Sequence, residues 1–80
     1  MSDPSIEVLG RASRVRYRQG ARSIDVESEL LVGTPMLVLY AGSIKAWADG
    51  QAVTAREKAE IVANIRRLML PEWGEIDVEE

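Results

Sequence analysis

Two segments of this chain alternate charged and apolar residues with a period of two. The first is Arg14-Val15-Arg16-Tyr17-Arg18, and the second is Glu75-Ile76-Asp77-Val78-Glu79. Successive side chains of a β-strand point to opposite faces, so this period predicts two strands that each have one charged and one apolar face. The charged face is basic in the first strand and acidic in the second. These charges either neutralise one another within the fold or bind a partner.

The first of these strands belongs to a predicted β-hairpin over residues 13–28. Gly20 marks the turn, and the alternation of polar and apolar residues resumes after it. A two-residue loop would place Arg14 opposite Asp25, whereas a four-residue loop would place Arg16 opposite Asp25. The two registers differ by two residues and keep every side chain on the same face. In both registers, arginines face carboxylates across the hairpin.

Shorter patterns predict the other strands. Residues 6–9 start as a strand, and residues 33–35 break the pattern before residues 36–40, which are apolar on both faces. Such a run is typical of a central strand that is covered on one side and partly covered on the other. Residues 44–47 are predicted to form a returning strand, with a helical turn as the alternative.

One long helix is predicted to begin at Thr54, which has capping-box spacing to Glu57. Apolar residues then recur at helical spacing and form a single stripe, as in a helix that packs on one face of a sheet. They are Ile61, Val62, Ile65, Leu68 and Met69. Pro71 is predicted to stop the helix, because the residue before a proline is disfavoured in the α conformation.

Together these elements predict an α+β fold in two layers: a small antiparallel sheet of hairpins packed against one long helix, with a C-terminal strand. The 80 residues fit a single domain over residues 1–80, in which residues 1–5 are expected to be flexible. The N-terminus has no signal-peptide pattern, and no apolar run approaches the length of about 20 residues that spans a bilayer. We therefore expect a cytoplasmic protein with no membrane contact.

The composition removes the commonest chemistry of enzymes and metal sites. The chain has no cysteine and no histidine, so it lacks thiolate ligands, imidazole ligands and the commonest general base. It also has no glycine-rich phosphate loop. The strand carboxylates are expected to be solvated, without the burial that tunes a pKa for acid–base work. We predict no catalytic residue, no metal site and no cofactor, and therefore a protein that is not an enzyme.

Residues 11–22 hold five of the ten basic residues and no acidic residue. This arginine cluster could bind nucleic acid or an acidic protein surface, or it could be a solvated strand face that Asp25 and Glu27 neutralise. The net charge of −3 and the single aromatic residue between the arginines favour local neutralisation. We therefore do not expect nucleic acid as a partner.

The C-terminal segment, residues 72–80, carries five carboxylates. Glu75, Asp77 and Glu79 share one face of the predicted strand. There they could attract a basic partner, or they could discourage pairing between strand edges.

Tyr40 and Trp47 are candidate contacts of a different kind, because tyrosine and tryptophan are enriched among interface anchors. In so small a core a tryptophan usually packs inside, with its indole N–H bonded to a partner. Trp47 is nevertheless the better interface candidate of the two tryptophans, since an exposed loop is predicted to begin beside it.

Three stretches of the chain occur in the same order as in a known family: residues 39–47, the helix from Val53 to Ile65, and residues 74–78. Through them the chain resembles the immunity proteins of bacterial polymorphic toxin systems, immunity protein family seventy-four. The resemblance implies a non-enzymatic protein that binds a cognate toxin and occludes its active site in the cell that makes it. It also implies that the matching residues Tyr40, Ser43, Ile44 and Trp47 serve either shared packing or shared recognition.

A small structural or regulatory homodimer is the alternative hypothesis, in which an exposed strand edge pairs across a two-fold axis. A protein partner is expected on the first hypothesis and a second copy of the chain on the alternative. The partner-binding candidates are Tyr40, Ser43, Trp47, Glu75, Asp77 and Glu79.

Overall fold

Alternating strand residues and one amphipathic helix build this fold. The computed structural model describes residues 3–33 and 37–80. In these residues the strands are β1 (Ser5–Leu9), β2 (Arg14–Gln19), β3 (Arg22–Leu30), β4 (Leu37–Tyr40) and β5 (Asp77–Glu79). A short 3-10 turn, Ala41–Ser43, follows β4, and the helix α1 spans Ala55–Trp73. The predicted α+β fold, with a small sheet, one long helix and a C-terminal strand, is confirmed.

Two sequence predictions fall partly outside the described residues. They concern residues 1 and 2 of the segment expected to be flexible, and residues 34–36, which complete the predicted break and begin the predicted central strand. Ser5, the last residue of the N-terminal segment, is the first residue of β1.

The five strands form one sheet in the order β1-β2-β3-β4-β5. The first three contacts between neighbours are antiparallel, but β5 lies parallel to β4. A parallel neighbour requires a crossover connection, and α1 provides it between β4 and β5. The sheet is therefore mixed, whereas the sequence predicted an antiparallel sheet and did not assign a neighbour to the C-terminal strand. The basic β2 and the acidic β5 are separated by two strands.

The register of the β2–β3 hairpin places Arg16 opposite Asp25 and Arg14 opposite Glu27. This is the register that the sequence predicted for a four-residue loop. Gln19 also pairs with Arg22, which leaves only Gly20 and Ala21 in the turn. The same register therefore forms with a two-residue turn. Gly20 has a φ of 63°, a conformation that glycine adopts without a steric penalty.

The core lies between α1 and the face of the sheet that we call the inner face. Val15 and Tyr17 of β2 are completely buried there, as the alternation predicts. The helix contributes Ile61, Ile65 and Met69 to the same cluster. Leu68, predicted in the centre of the apolar stripe, is only half-buried.

The helix begins as predicted but ends later. Thr54 and Glu57 form the complete capping box, with both reciprocal bonds present. Pro71 does not stop the helix, which continues to Trp73. Pro71 has no N–H to donate, but the residues after it do, and the last turn closes through a bond of 3.0 Å from the Gly74 amide to the Leu70 carbonyl. Gly74, with a φ of 67°, then ends the helix.

Residues 44–47 do not form the predicted returning strand. The turn at Ala41–Ser43 redirects the chain, and the segment makes an isolated bridge between Ala46 and Ala52. The amide of Ala48 donates to the carbonyl of Ser23 at 2.8 Å, so the loop follows a stretch of β3 that β4 does not pair. One such bond does not make a strand ladder.

Candidate functional site

The face of the sheet opposite α1, here called the outer face, carries most of the strand charges. Its members follow from the register, because residues paired across neighbouring strands point to the same face. They are Ser5, Glu7 and Leu9 of β1, Arg14, Arg16 and Arg18 of β2, Ser23, Asp25, Glu27 and Glu29 of β3, Val38 and Tyr40 of β4, and Asp77 and Glu79 of β5. The outer face is the candidate site.

The three arginines of β2 have acidic neighbours on the outer face. Arg16 makes a bidentate contact with Asp25, at 2.8 Å from Nε and 3.3 Å from Nη2. Arg14 lies 3.8 Å from Asp25, and Arg18 lies 3.8 Å from Glu7. The hydrogen bond from Arg16 lowers the pKa of Asp25. The predicted pairing of β2 arginines with Asp25 is confirmed, whereas Glu7 of β1 takes the neutralising role that was predicted for Glu27.

The other part of the outer face is acidic. Glu27, Glu29, Asp77 and Glu79, here called the acidic patch, are all exposed. Within residues 3–33 and 37–80, none of the four lies within 4.0 Å of a basic nitrogen. Lys45 lines the same surface recess as Glu27 without reaching that distance. The patch therefore presents net negative charge to solvent.

Tyr40 lies inside the acidic patch, half-buried and directly opposite Glu79. Its hydroxyl donates to Oε2 of Glu29 at 2.5 Å. The negative carboxylate disfavours the phenolate, so this hydrogen bond raises the pKa of Tyr40. The partly exposed ring thus lies beside the carboxylates of Glu29 and Glu79.

Ser43 fixes the turn after β4 through two hydrogen bonds of its side chain. Its hydroxyl donates to the Tyr40 carbonyl at 2.7 Å and accepts from the Glu27 amide at 3.0 Å. The first bond joins the turn after β4 to β4 itself, and the second joins it to β3. Ser43 is half-buried, and its described contacts assign it to packing of the patch.

Trp47 and Glu75 lie apart from the outer face. Trp47 is only 5% exposed and belongs to the core cluster, so its ring offers a partner almost no surface. Glu75 precedes β5 and lines a recess with Arg66 and Arg67 of α1. Of the sequence-predicted candidates, the structure therefore brings together Tyr40, Ser43, Asp77 and Glu79.

Glu27 and Glu29 complete the patch and were not among the candidates. Glu27 was assigned to neutralising the arginines, but its pairing partner Arg14 contacts Asp25 instead. The alternation of β3 could have identified both residues, because Asp25, Glu27 and Glu29 share one face. Their position beside β5 could not be read from that pattern.

A second polar cluster joins the hairpin to the start of α1. The guanidinium of Arg22 donates to Oε2 of Glu57 at 2.8 Å and to Oε1 of Gln51 at 3.3 Å. The indole N–H of Trp47 contacts Oε1 of Glu57 at 3.5 Å. The bond from the Thr54 amide, followed by those from Arg22 and Trp47, lowers the pKa of Glu57. These contacts hold three elements together, and the adjoining cavity measures only about 180 Å³.

In the part of the chain that the structure describes, no group of three or more acidic residues is arranged to hold a metal ion. Nor does any helix among the described residues have the length and apolar character to cross a membrane. No protein-family model matches the chain, and neither a curated protein nor a solved structure does. The predicted membership of an immunity-protein family thus stays a prediction.

Proposed function

We propose that this chain is a non-enzymatic binding module that neutralises a cognate bacterial toxin in the cytoplasm of the cell that makes it. The acidic patch binds a basic surface of the toxin, and the small domain then covers the toxin's active site. The partner is a protein, and the mechanism is occlusion without chemistry on the part of this chain.

The observation that supports this proposal is the segregation of charge on the outer face. The arginines of β2 are already paired with Asp25 and Glu7. The four carboxylates of the acidic patch have no such partner among the described residues, and two of them, Glu29 and Glu79, lie beside Tyr40. Exposed charges of one sign attract a partner of the opposite sign and raise its association rate. A tyrosine among them supplies the aromatic contact that interfaces favour.

A basic partner fits a toxin that acts on nucleic acid, because such an enzyme must hold phosphates with lysine and arginine. A protein that covers this site meets positive charge. The acidic patch has the complementary sign, whereas the arginines of β2 have the same sign as that surface.

The test uses the product of a toxin gene that lies next to the gene for this chain. The triple variant E29Q/D77N/E79Q removes three charges from the acidic patch. The matched control D3N/E60Q/E72Q removes three exposed charges elsewhere. We expect the first variant to associate with the toxin about tenfold more slowly at low salt and to protect cells from the toxin less well. The control should match the wild type in both measurements. Equal effects of both variants, or no effect of either, would contradict the proposal. So would the absence of any toxin gene nearby.

A homodimer remains the second candidate function, and the open edge of β1 favours it. β1 is the first strand of the sheet, five residues long, and its only charged residue is Glu7. An antiparallel pair of β1 strands would extend the sheet across a two-fold axis. Light scattering at high micromolar concentration tests this, and a strict monomer would remove it.

A further inference from the structure

The other edge of the sheet, at β5, adjoins an apolar groove. β5 is the last strand of the sheet, and no strand of the described residues pairs with its free edge, the edge away from β4. An edge strand of this kind presents backbone donors and acceptors that another chain can pair with. The Val78 amide bonds to Oδ1 of Asp77 at 3.2 Å, an exposed contact that a carbonyl of an added strand can replace.

The groove lies between this edge and α1. Its volume is about 670 Å³, and its lining includes Val78 of β5 together with Ala59, Val62 and Ala63 of α1. Alanine side chains are too small to fill the space between the helix and the end of the sheet. Lys58 and Arg66 of α1 also line the groove. Lys58 is bound to the carboxylate of Glu80 at 2.7 Å.

The two faces of the sheet at β5 impose different requirements on the side chains of any strand that is added along its free edge. On the inner face of the sheet, the side chain of the added strand beside Val78 would enter the apolar groove. On the outer face, the side chains of the added strand beside Asp77 and Glu79 would meet carboxylates. Since side chains of a strand alternate between faces, one extended segment satisfies both sides if apolar and basic residues alternate along it.

We propose that the toxin contributes such a segment, an extended strand of alternating basic and apolar residues, which pairs with the open edge of β5. This rests on the proposed function and identifies the element of the partner that the acidic patch recognises. Backbone hydrogen bonds to β5 supply affinity, and the groove and carboxylates select the alternating pattern.

A second copy of this chain does not meet the same requirements. If β5 paired with β5 of another copy, Asp77 and Glu79 would lie beside the same carboxylates. Like charges placed opposite one another destabilise a strand pair. The charge of β5 therefore disfavours a homodimer at this edge and favours a basic segment.

The probe is a synthetic peptide of about seven residues, the length of an ordinary strand, in which arginine and valine alternate. A second peptide has the same composition with arginines and valines in separate blocks. Binding is followed by NMR titration of the whole chain, with amide hydrogen exchange at residues 77–79. We expect the alternating peptide to bind at least about tenfold more tightly than the block peptide and to protect amides of β5.

Two variants separate the groove from the charge. A59L/A63L fills the groove with residues that favour helix and leaves every charge in place. The control E60L/R67L adds two leucines to exposed positions of α1 that do not line the groove and leaves the net charge unchanged. We expect the first variant to weaken binding of the alternating peptide at least about tenfold and the control to have no effect.

Equal binding of the two peptides, no binding of either, or no effect of A59L/A63L would overturn the strand-addition proposal. In those cases the proposed function still stands if E29Q/D77N/E79Q weakens binding of the toxin. If that variant leaves toxin binding unchanged, the proposed function itself fails.

Discussion

Arg22 stacks on Trp47, with the guanidinium carbon 4.1 Å from the centroid of the indole ring. Both side chains also contact Glu57, the residue that completes the capping box of α1. A strand, a loop and a helix N-terminus are therefore joined through one stacked pair. This contact explains why Trp47 is a core residue although the segment around it is irregular.

Loss of this stacked pair should reduce stability without affecting the acidic patch. Arg22→Ala removes the cation–π contact and the bonds to Glu57 and Gln51. We expect the free energy of unfolding in urea to fall by at least about 1 kcal/mol. Arg67→Ala, at an exposed position with no described ion pair, should change it by less than about 0.5 kcal/mol. Equal effects of the two substitutions would contradict the structural role of Arg22.

Acid should weaken the β2–β3 hairpin through Asp25. The pKa of this carboxyl is lowered in the folded chain, chiefly by the hydrogen bond from Arg16. Its contribution to stability is therefore fully present above the unfolded value of about 4 and is lost as the pH falls through the lower folded value. Melting temperatures measured from pH about 6 down to about 2 should fall less steeply for Asp25→Asn than for the wild type. Parallel curves for the two proteins would show that the ion pair adds no acid dependence.

Tyr40 should ionise at higher pH than an ordinary tyrosine. Its pKa is raised by the bond to Glu29, so the stability from this bond is present below the usual value of about 10 and is lost as the pH rises through the folded value. Glu29→Gln should lower the pKa of Tyr40, which is measured from the NMR signals of the ring carbons during a pH titration. Glu7→Gln, on β1, is the control and should leave that titration in place. An unchanged titration in Glu29→Gln would exclude the bond as its cause.

A side chain at position 42 should loosen β5. A Cβ added to Gly42 would lie 2.8 Å from the carbonyl carbon of Glu80, the residue after β5, so the turn and the backbone at Glu80 must move apart. We expect Gly42→Ala to speed amide exchange at residues 77–79 more than in the rest of the sheet. Gly50→Ala introduces strain at a φ of 92° but meets no atom within 4 Å. It should lower overall stability without a selective effect on β5, and the same pattern for both variants would refute the close contact.

The local patterns that predicted the elements are those in which neighbours in sequence supply the stabilising contacts. The capping box of Thr54 and Glu57 spans one helical turn, and it forms as predicted. Val15 and Tyr17 are buried because a period of two places them on the same face whatever the register. The arginines of β2 have nearby carboxylates because a tight hairpin brings the two strands together.

The errors arose where one contact outweighed a local preference. Pro71 disfavours helix, yet the Gly74 amide closes the last turn beyond it. Residues 44–47 alternate like a strand, but the loop has a single bridge and follows β3 instead. The sequence leaves Trp47 open between packing and an interface, and the stacked guanidinium of Arg22 and the carboxylate of Glu57 decide for packing.

By itself, the sequence determined which residues of each element share a face, and therefore the charge of β2 and of β5. Only the tertiary structure decided which strands are neighbours. Because α1 carries the chain over the sheet, β5 lies parallel to β4 and away from the arginines of β2. Glu29 and Asp77, which are distant in sequence, thus share one exposed face through Val38. The pairing of strands distant in sequence depends on the whole core, and no local period encodes it.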